Sequence, residues 1–301
     1  MRSANLFFLL SAAQGVYSWG DLGHRTVAYL AQKYLTNDGA QLVSNLLGGE
    51  DISDAALWAD TIKRRHGYTF TAEWHYIDAK DDPPTTCGVK YSRDCKANPG
   101  CVVSAIANMT GRVNDASLDA DQQTEALKYI IHFIGDIHQP LHTEAMDRGG
   151  NGIPVCFDSR CSHTNLHGIW DKEILHKRIG LKESAKDAEI QPAAAKWADA
   201  LFSGNSATGL TTVDECTDVS AAQTCALAWA TEANAYICSY VLKNGADWLE
   251  QNDLGGDYFD GAAPIVDDMI SKAGIRLGAW LNALAAARFS ALPLVVQNEE
   301  L

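Results

Sequence analysis

The stretch Leu127-Lys128-Tyr129-Ile130-Ile131-His132-Phe133-Ile134-Gly135-Asp136-Ile137-His138-Gln139-Pro140-Leu141-His142 holds an apolar helical period and polar residues that fall off it. With Leu127 at zero and about 100° per residue, Ile130, Ile131 and Ile134 lie within about 60° of it. His132 falls at about 140° and Asp136 at about 180°, so the two share a face away from the apolar stripe. A helix is expected over 121–139, its stripe packed on a core. His138 lies on that stripe and reads as a packed or hydrogen-bonded core histidine. Pro140 donates no backbone bond and pushes Gln139 out of helical geometry. His138 and His142 therefore do not share a face, and His142 emerges just past the helix end near the same site.

Helical period recurs outward from this segment. Val27, Leu30, Ala31, Tyr34 and Leu35 mark a helix over 22–35, and the Ala-rich stretches 221–243 and 265–290 mark two more. Residues 78–101 and 146–168, rich in Pro, Gly and Cys, read as loop. Alternation is scarce: only Ile153-Pro154-Val155-Cys156-Phe157 suggests a short β-hairpin arm. The fold expected is mainly α, a single-domain helical bundle spanning 19–301.

The 301 residues are 47% hydrophobic and 21% charged, an ordinary globular composition. Acidic residues outnumber basic ones 38 to 24, a net charge of −14, which argues against a broad basic groove for a polyanion. Residues 1–18 have the pattern of a signal peptide: Arg2, an apolar run opening at Leu6–Leu10, and Val16 and Ser18 before the cleavage point. The run is too short for a membrane span. Cleavage after Ser18 gives a secreted chain starting at Trp19. The eight cysteines, Cys87, Cys95, Cys101, Cys156, Cys161, Cys216, Cys225 and Cys238, fit an oxidising compartment. Eight cysteines allow 105 pairings, so connectivity stays open. Short spacings suggest 95–101, 156–161 and 216–225 as local clips, with 87–238 left as the long closure. Asn108-Met109-Thr110 is an N-glycosylation sequon.

Among nine histidines, His132/Asp136 and His167/Asp171 pair at i,i+4, a spacing that can present an imidazole and a carboxylate to one cation. One such pair alone is most often a surface contact. Two pairs with His142 nearby point to a metal site. His66, His163 and His176 read as loop or surface residues. The sequence lacks H-E-x-x-H, G-x-S-x-G, a P-loop and a dinucleotide fingerprint.

The run Trp19-Gly20-Asp21-Leu22-Gly23-His24 resembles the start of the mature secreted zinc nucleases of the S1/P1 type. Trp58-Ala59-Asp60, Trp74-His75-Tyr76-Ile77-Asp78, His132 to His142, Gly149-Gly150-Asn151, Asn165-Leu166-His167-Gly168-Ile169-Trp170-Asp171 and Trp229 to Tyr236 continue the likeness in order. The cysteines and sequon are most similar to the fungal branch. The resemblance implies a helical fold with a trinuclear zinc cleft. Asp60, His75, His132 and Asp136 would hold the first of three Zn²⁺ ions; His142, His167 and Asp171 the second. His24, bridging Asp136, and the amino nitrogen and carbonyl oxygen of Trp19 would hold the third. That amino group exists only after the leader is removed, and it must lose a proton to bind metal.

The same resemblance implies phosphodiester hydrolysis of single-stranded DNA and RNA to 5′-phosphates, with 3′-nucleotides as further substrates. Zinc-bound hydroxide would attack phosphorus in line while zinc stabilises the leaving 3′-oxygen. Asp60 and Asp136 would act in catalysis, and Lys63 would meet phosphate as a point charge, against the alternative of a surface lysine. Tyr76 would stack on a base, and Asp78 and Asn165 would bind base edges or shape their loops. Gly168 stands where many relatives carry Ser, so contacts from that position differ. Two alternatives remain: a zinc phospholipase C, whose final ligand is typically Glu where Asp171 stands here, and a secreted metal-stabilised binding protein without turnover. A monomer without stable membrane association is the default.

Overall fold

A computed structural model describes residues 19–210, 216 and 218–290; the expected signal peptide, residues 1–18, lies outside them. The long helices are α1 (Asp21–Gln32), α2 (Asn37–Leu47), α3 (Val102–Val113), α4 (Ala120–Asp136), α5 (Asp187–Thr208), α6 (Ala222–Tyr236) and α7 (Asp257–Ser290). The mainly α expectation holds, and no helix among the described residues is long and apolar enough to cross a membrane.

Helix α4 starts where its sequence says it should. The Asp119 side chain accepts from Gln122 N at 2.8 Å, and Gln122 Oε1 accepts from Asp119 N at 3.3 Å, a reciprocal cap that satisfies two terminal donors. The regular helix ends at Asp136, and Gln139 is extended (φ −84°, ψ 117°) before a 3₁₀ turn at Pro140–Thr143. The residue before a proline is steered out of helical geometry, and here that re-aims His142. The expected direction of His132 and Asp136 needs one correction. They do leave the apolar stripe, but both are fully buried, because α1 and the segment Thr69–His75 cover that face too.

Helix α1 packs against α5 and α7, α3 against α4, and α6 against α3. Two glycines set the α1–α7 distance. A Cβ at Gly274 would sit 2.6 Å from Leu30 Cγ, and one at Gly278 would sit 2.9 Å from the Ala31 carbonyl oxygen. Buried Arg25 clamps α1 from its other side, donating to Ser53 Oγ (2.7 Å), Asp54 Oδ1 (2.7 Å) and Asp187 Oδ1 (2.8 Å). Disulfides join Cys87–Cys238, Cys95–Cys101, Cys156–Cys161 and Cys216–Cys225, the pairing that the spacings suggested. Cys87–Cys238 spans 151 residues, so it restrains the unfolded chain most.

Several expectations shift at their edges. The first helix stops at Gln32 rather than 35, and the last begins at Asp257 rather than 265. The stretch 221–243 is helical to Tyr236 and then widens to a π turn, Ile237–Val241. The hairpin arm at 153–157 forms only isolated bridges, Pro154 with Asn165, Cys156 with Asp253 and Phe157 with Arg160, and no strand ladder. Proline at 154 cannot donate to a ladder, and Asp158 and Ser159 (φ 48° and 64°) turn the chain sharply instead.

Replacing Gly274 with Val should lower unfolding free energy by about 1–3 kcal/mol, because the added carbons have no room against Leu30. Urea titration of both forms measures it; equal or greater stability for the variant would refute the close approach.

Candidate metal centre

Helix α4 contributes His132 and Asp136, one turn apart, to a fully buried cluster. The 3₁₀ segment Thr69–His75 ends by delivering His75, whose Nδ1 lies 2.9 Å from Asp136 Oδ2 and 3.0 Å from His132 Nε2. Helix α1 delivers His24, whose Nε2 is 3.4 Å from Asp136 Oδ1 and whose ring stacks on His132 with centroids 3.9 Å apart. Glycine at 135 permits that approach, since a Cβ there would lie 2.9 Å from His24 Nδ1. Asp60 Oδ1, from the short helix Trp58–Ile62, lies 3.6 Å from both His75 Nδ1 and His132 Nε2.

A second cluster forms beyond the Pro140 turn. His142 stacks on His167 with centroids 5.0 Å apart, and His167 Nε2 lies 3.2 Å from Asp171 Oδ2. His167 sits on the one-turn helix Leu166–Gly168, and Asp171 on the π turn Ile169–Glu173 that follows it. Such π insertions are frequent at functional sites. The first described residues close on the same place: Trp19 is fully buried, and Gly20 N–H donates to the Asp171 carbonyl at 2.8 Å.

Donor atoms within 4.8 Å of one another form three groups able to hold a cation: His24, His132 and Asp136; Asp60, His75 and His132; His142, His167 and Asp171. Every side chain expected to bind metal falls in one of them. The buried atom His142 Nε2 makes no hydrogen bond among the described residues. A buried polar atom without a partner is costly, and a cation accounts for it.

Protonation states suit the same purpose. Burial, together with Lys63, pushes His75 down to about 3, and burial also lowers His24 and His142. Neutral rings keep a lone pair for a metal. Burial alone would raise the two carboxylates, yet His132 and its neighbours hold Asp60 and Asp136 well below the usual range. His132 itself is raised, against burial, by Asp136 and Asp60. Carbonyl oxygens fix the tautomers. Nδ1–H of His132 donates to Ala56 O (2.6 Å), that of His142 to His75 O (2.8 Å), and that of His167 to Gly149 O (2.6 Å). A carbonyl only accepts, so each Nδ1 carries a proton, and in the neutral ring Nε2 is the nitrogen with the lone pair.

The sequence reading missed this supporting layer. Gln139, fully buried, donates from Nε2 to Asp171 Oδ1 (2.7 Å) and accepts from Leu141 N (2.5 Å). A polar residue held before a proline between two histidines was the available signal. Gly149, at φ 62°, brings its carbonyl to His167, and a Cβ there would strike Leu141 O at 2.7 Å.

Lys63 is buried, with Nζ 2.5 Å from Asp60 Oδ1, which sets aside the surface alternative. His176 is buried as well, its Nδ1–H donating to Lys182 O at 3.0 Å. His66 and His163 are exposed as expected. His138 is a buried core histidine, bonded to Ile134 O (2.6 Å) and Arg276 Nη1 (2.9 Å). Tyr76 and Asp78 are half-buried beside His75. Asn165 Oδ1 caps its helix by accepting from Gly168 N at 2.8 Å. A cavity of about 640 Å³ opens beside the second cluster, lined by Asn151, Asn165, His167, Asp171 and Lys172 among others.

The family model described as S1/P1 Nuclease matches residues 19–286. The chain belongs to the S1/P1 nuclease family. It is 39% identical to Nuclease S1 of Aspergillus oryzae (strain ATCC 42149 / RIB 40), over 92% of this chain and 95% of that one. It is 41% identical to Nuclease PA3 of Penicillium sp and 40% identical to Nuclease P1 of Penicillium citrinum, in each case over 88% of this chain and 97% of the relative. The chain is thus a phosphodiesterase of the nuclease class. Family membership sets aside both the phospholipase and the non-catalytic readings.

Gln139→Ala should weaken metal binding at the Asp171 cluster by about 10–100-fold, the usual cost of losing a group that orients a ligand. Chelator competition on the purified protein reads this; an unchanged affinity would remove Gln139 from that role.

Proposed function

We propose that the chain is a secreted, zinc-dependent endonuclease that cuts single-stranded DNA and RNA, leaves 5′-phosphates and also hydrolyses 3′-nucleotides. The observation that carries this reading is the convergence of eight His and Asp side chains, all but Asp60 buried, into three groups, one of them beside a cavity. One Zn²⁺ would lie with Asp60, His75, His132 and Asp136, and a second with His142, His167 and Asp171. The third would lie with His24, Asp136 and the backbone nitrogen and oxygen of Trp19. Nitrogen and carboxylate donors are what zinc takes, and the unpartnered Nε2 of His142 supports the fit. When bound, zinc supplies Lewis-acid stabilisation of phosphoryl oxygens and lowers the pKa of water to about 7.

The chain's own residues divide the remaining work. Asp136 is placed to be shared between neighbouring ions, since its two oxygens face different imidazoles. Lys63 now neutralises Asp60; with that oxygen engaged by a cation, its ammonium is placed to meet a phosphate. Half-buried Tyr76 offers a face for stacking on any base. A base leaves its stack cheaply only in a single strand or weakened duplex, which gives the strand preference a physical cause. Burial raises the Asp78 pKa, the direction that favours a carboxyl sharing a hydrogen bond with a base edge. Asn165 spends its carbonyl oxygen on the helix cap, leaving its amide nitrogen as a donor at the cleft.

Buried Trp19, beside the Gly20–Asp171 bond, supports removal of the leader as the step that completes the third site. The chain is read as acting alone and without stable membrane attachment.

The mature protein with zinc should release 5′-nucleotides from single-stranded DNA and RNA, act more slowly on duplex and leave phosphatidylcholine intact. Chelator should abolish turnover. No turnover on either polymer would overturn the proposal. Asp136→Asn should reduce turnover by more than about 100-fold, beyond what a supporting hydrogen bond costs, with fewer zinc ions per chain. Near-normal zinc content and rate would contradict the shared role of Asp136.

A further inference from the structure

A second cavity, of about 250 Å³, lies away from the His and Asp clusters. Its walls come from the Thr69–His75 segment, the outer face of α3 and the first half of α4. Phe70, 52% exposed, stands at its mouth, with Trp74 edge-on at a centroid distance of 5.1 Å. The Trp74 indole is held by its N–H bond to Pro99 O (2.6 Å), and Tyr68 is held by its O–H bond to Glu125 (2.7 Å). Arg112, Gln122 and Glu125 give the cavity a polar side.

The decisive neighbour is Asn108. It is exposed on α3, lines this same cavity and is the acceptor of the sequence's N-glycosylation sequon. Thr110, which completes the sequon, is buried, and its hydroxyl accepts the Trp280 indole N–H at 3.0 Å. In the folded chain that hydroxyl lies in the core, so the sequon is more accessible before folding than after it.

We propose that the cavity is the seat of the first N-acetylglucosamine of this chain's own glycan at Asn108. The inference rests on the secretory reading above. Attachment forms a bond from Asn108 Nδ2 to C1 of the sugar, with the amide proton lost and a lipid diphosphate leaving. At about 30 Å³ per water the cavity equals roughly eight waters, room for one pyranose with its acetamido group rather than a chain of sugars. The ring's C–H faces lie against Phe70 and Trp74, whose π faces carry partial negative charge. The acetamido and hydroxyl groups meet Arg112, Gln122 and Glu125. Tethering makes the docking intramolecular, so a weak contact suffices to keep the seat filled.

The test uses the full chain secreted from a eukaryotic host. Mass spectrometry at Asn108 reports modification. Thermal unfolding is then compared for the intact glycoprotein, the form trimmed to a single N-acetylglucosamine, and Asn108→Gln. The single-sugar form should melt with the intact one, and Asn108→Gln about 2–4 °C lower. Phe70→Ala should remove most of that difference without changing turnover on single-stranded DNA. An unmodified Asn108 in secreted, active chain overturns the proposal at its premise. A modified chain whose single-sugar form melts with Asn108→Gln overturns the docking and leaves the secretory reading standing. A Phe70→Ala protein that keeps the sugar's stabilisation but loses polymer turnover would assign the cavity to nucleic acid instead.

Discussion

A carboxylate with no exposure to water sits among imidazoles from four parts of the chain, and the rest of the fold is arranged to make that arrangement tolerable. Asp136 meets His24, His75, His132 and His142 within 3.7 Å. An isolated buried charge would cost several kcal/mol, so the site exists only if the imidazoles arrive on all sides. That demand fixes the start of α1, the end of the Thr69–His75 segment and the break at Pro140. Gly135 and Gly149 follow from the same demand, because each stands where a side chain would push a histidine or its carbonyl partner away.

The helix that builds the centre was legible because two codes overlap in it without interfering. Apolar residues at helical spacing mark α4, and the same spacing brings His132 and Asp136 together. Pro140 likewise announced the break that sends His142 in its own direction. Burial was less legible. Angular position on one helix says which residues share a face, but not what covers that face, so His132 and Asp136 looked merely turned from the core. His176 was misplaced for the same reason: its neighbour, the Lys182 carbonyl, comes from local folding that periodicity does not encode. The supporting layer was the least visible part. Backbone carbonyls at Ala56, His75 and Gly149 do much of the orienting, and a carbonyl leaves no signature in a sequence.

The overall charge of −14 describes the surface poorly as a guide to the partner. Asp60, Asp136 and Asp171 belong to the acidic surplus, yet all three are gathered at the centre and face imidazoles. Held with cations, they become part of a local field that can draw a phosphate. A site of this kind needs no basic groove along a polymer. It fits the proposed grip on a single phosphate.

The proposed mature start has a practical consequence of its own. Trp19 is packed inside the molecule, and Gly20 is fastened to the backbone of Asp171. With the leader removed before Trp19 as proposed, anything fused there would start from this buried position. On that reading affinity handles and carrier proteins belong elsewhere on this chain, and a preparation that keeps an extra residue before Trp19 differs at the proposed third site.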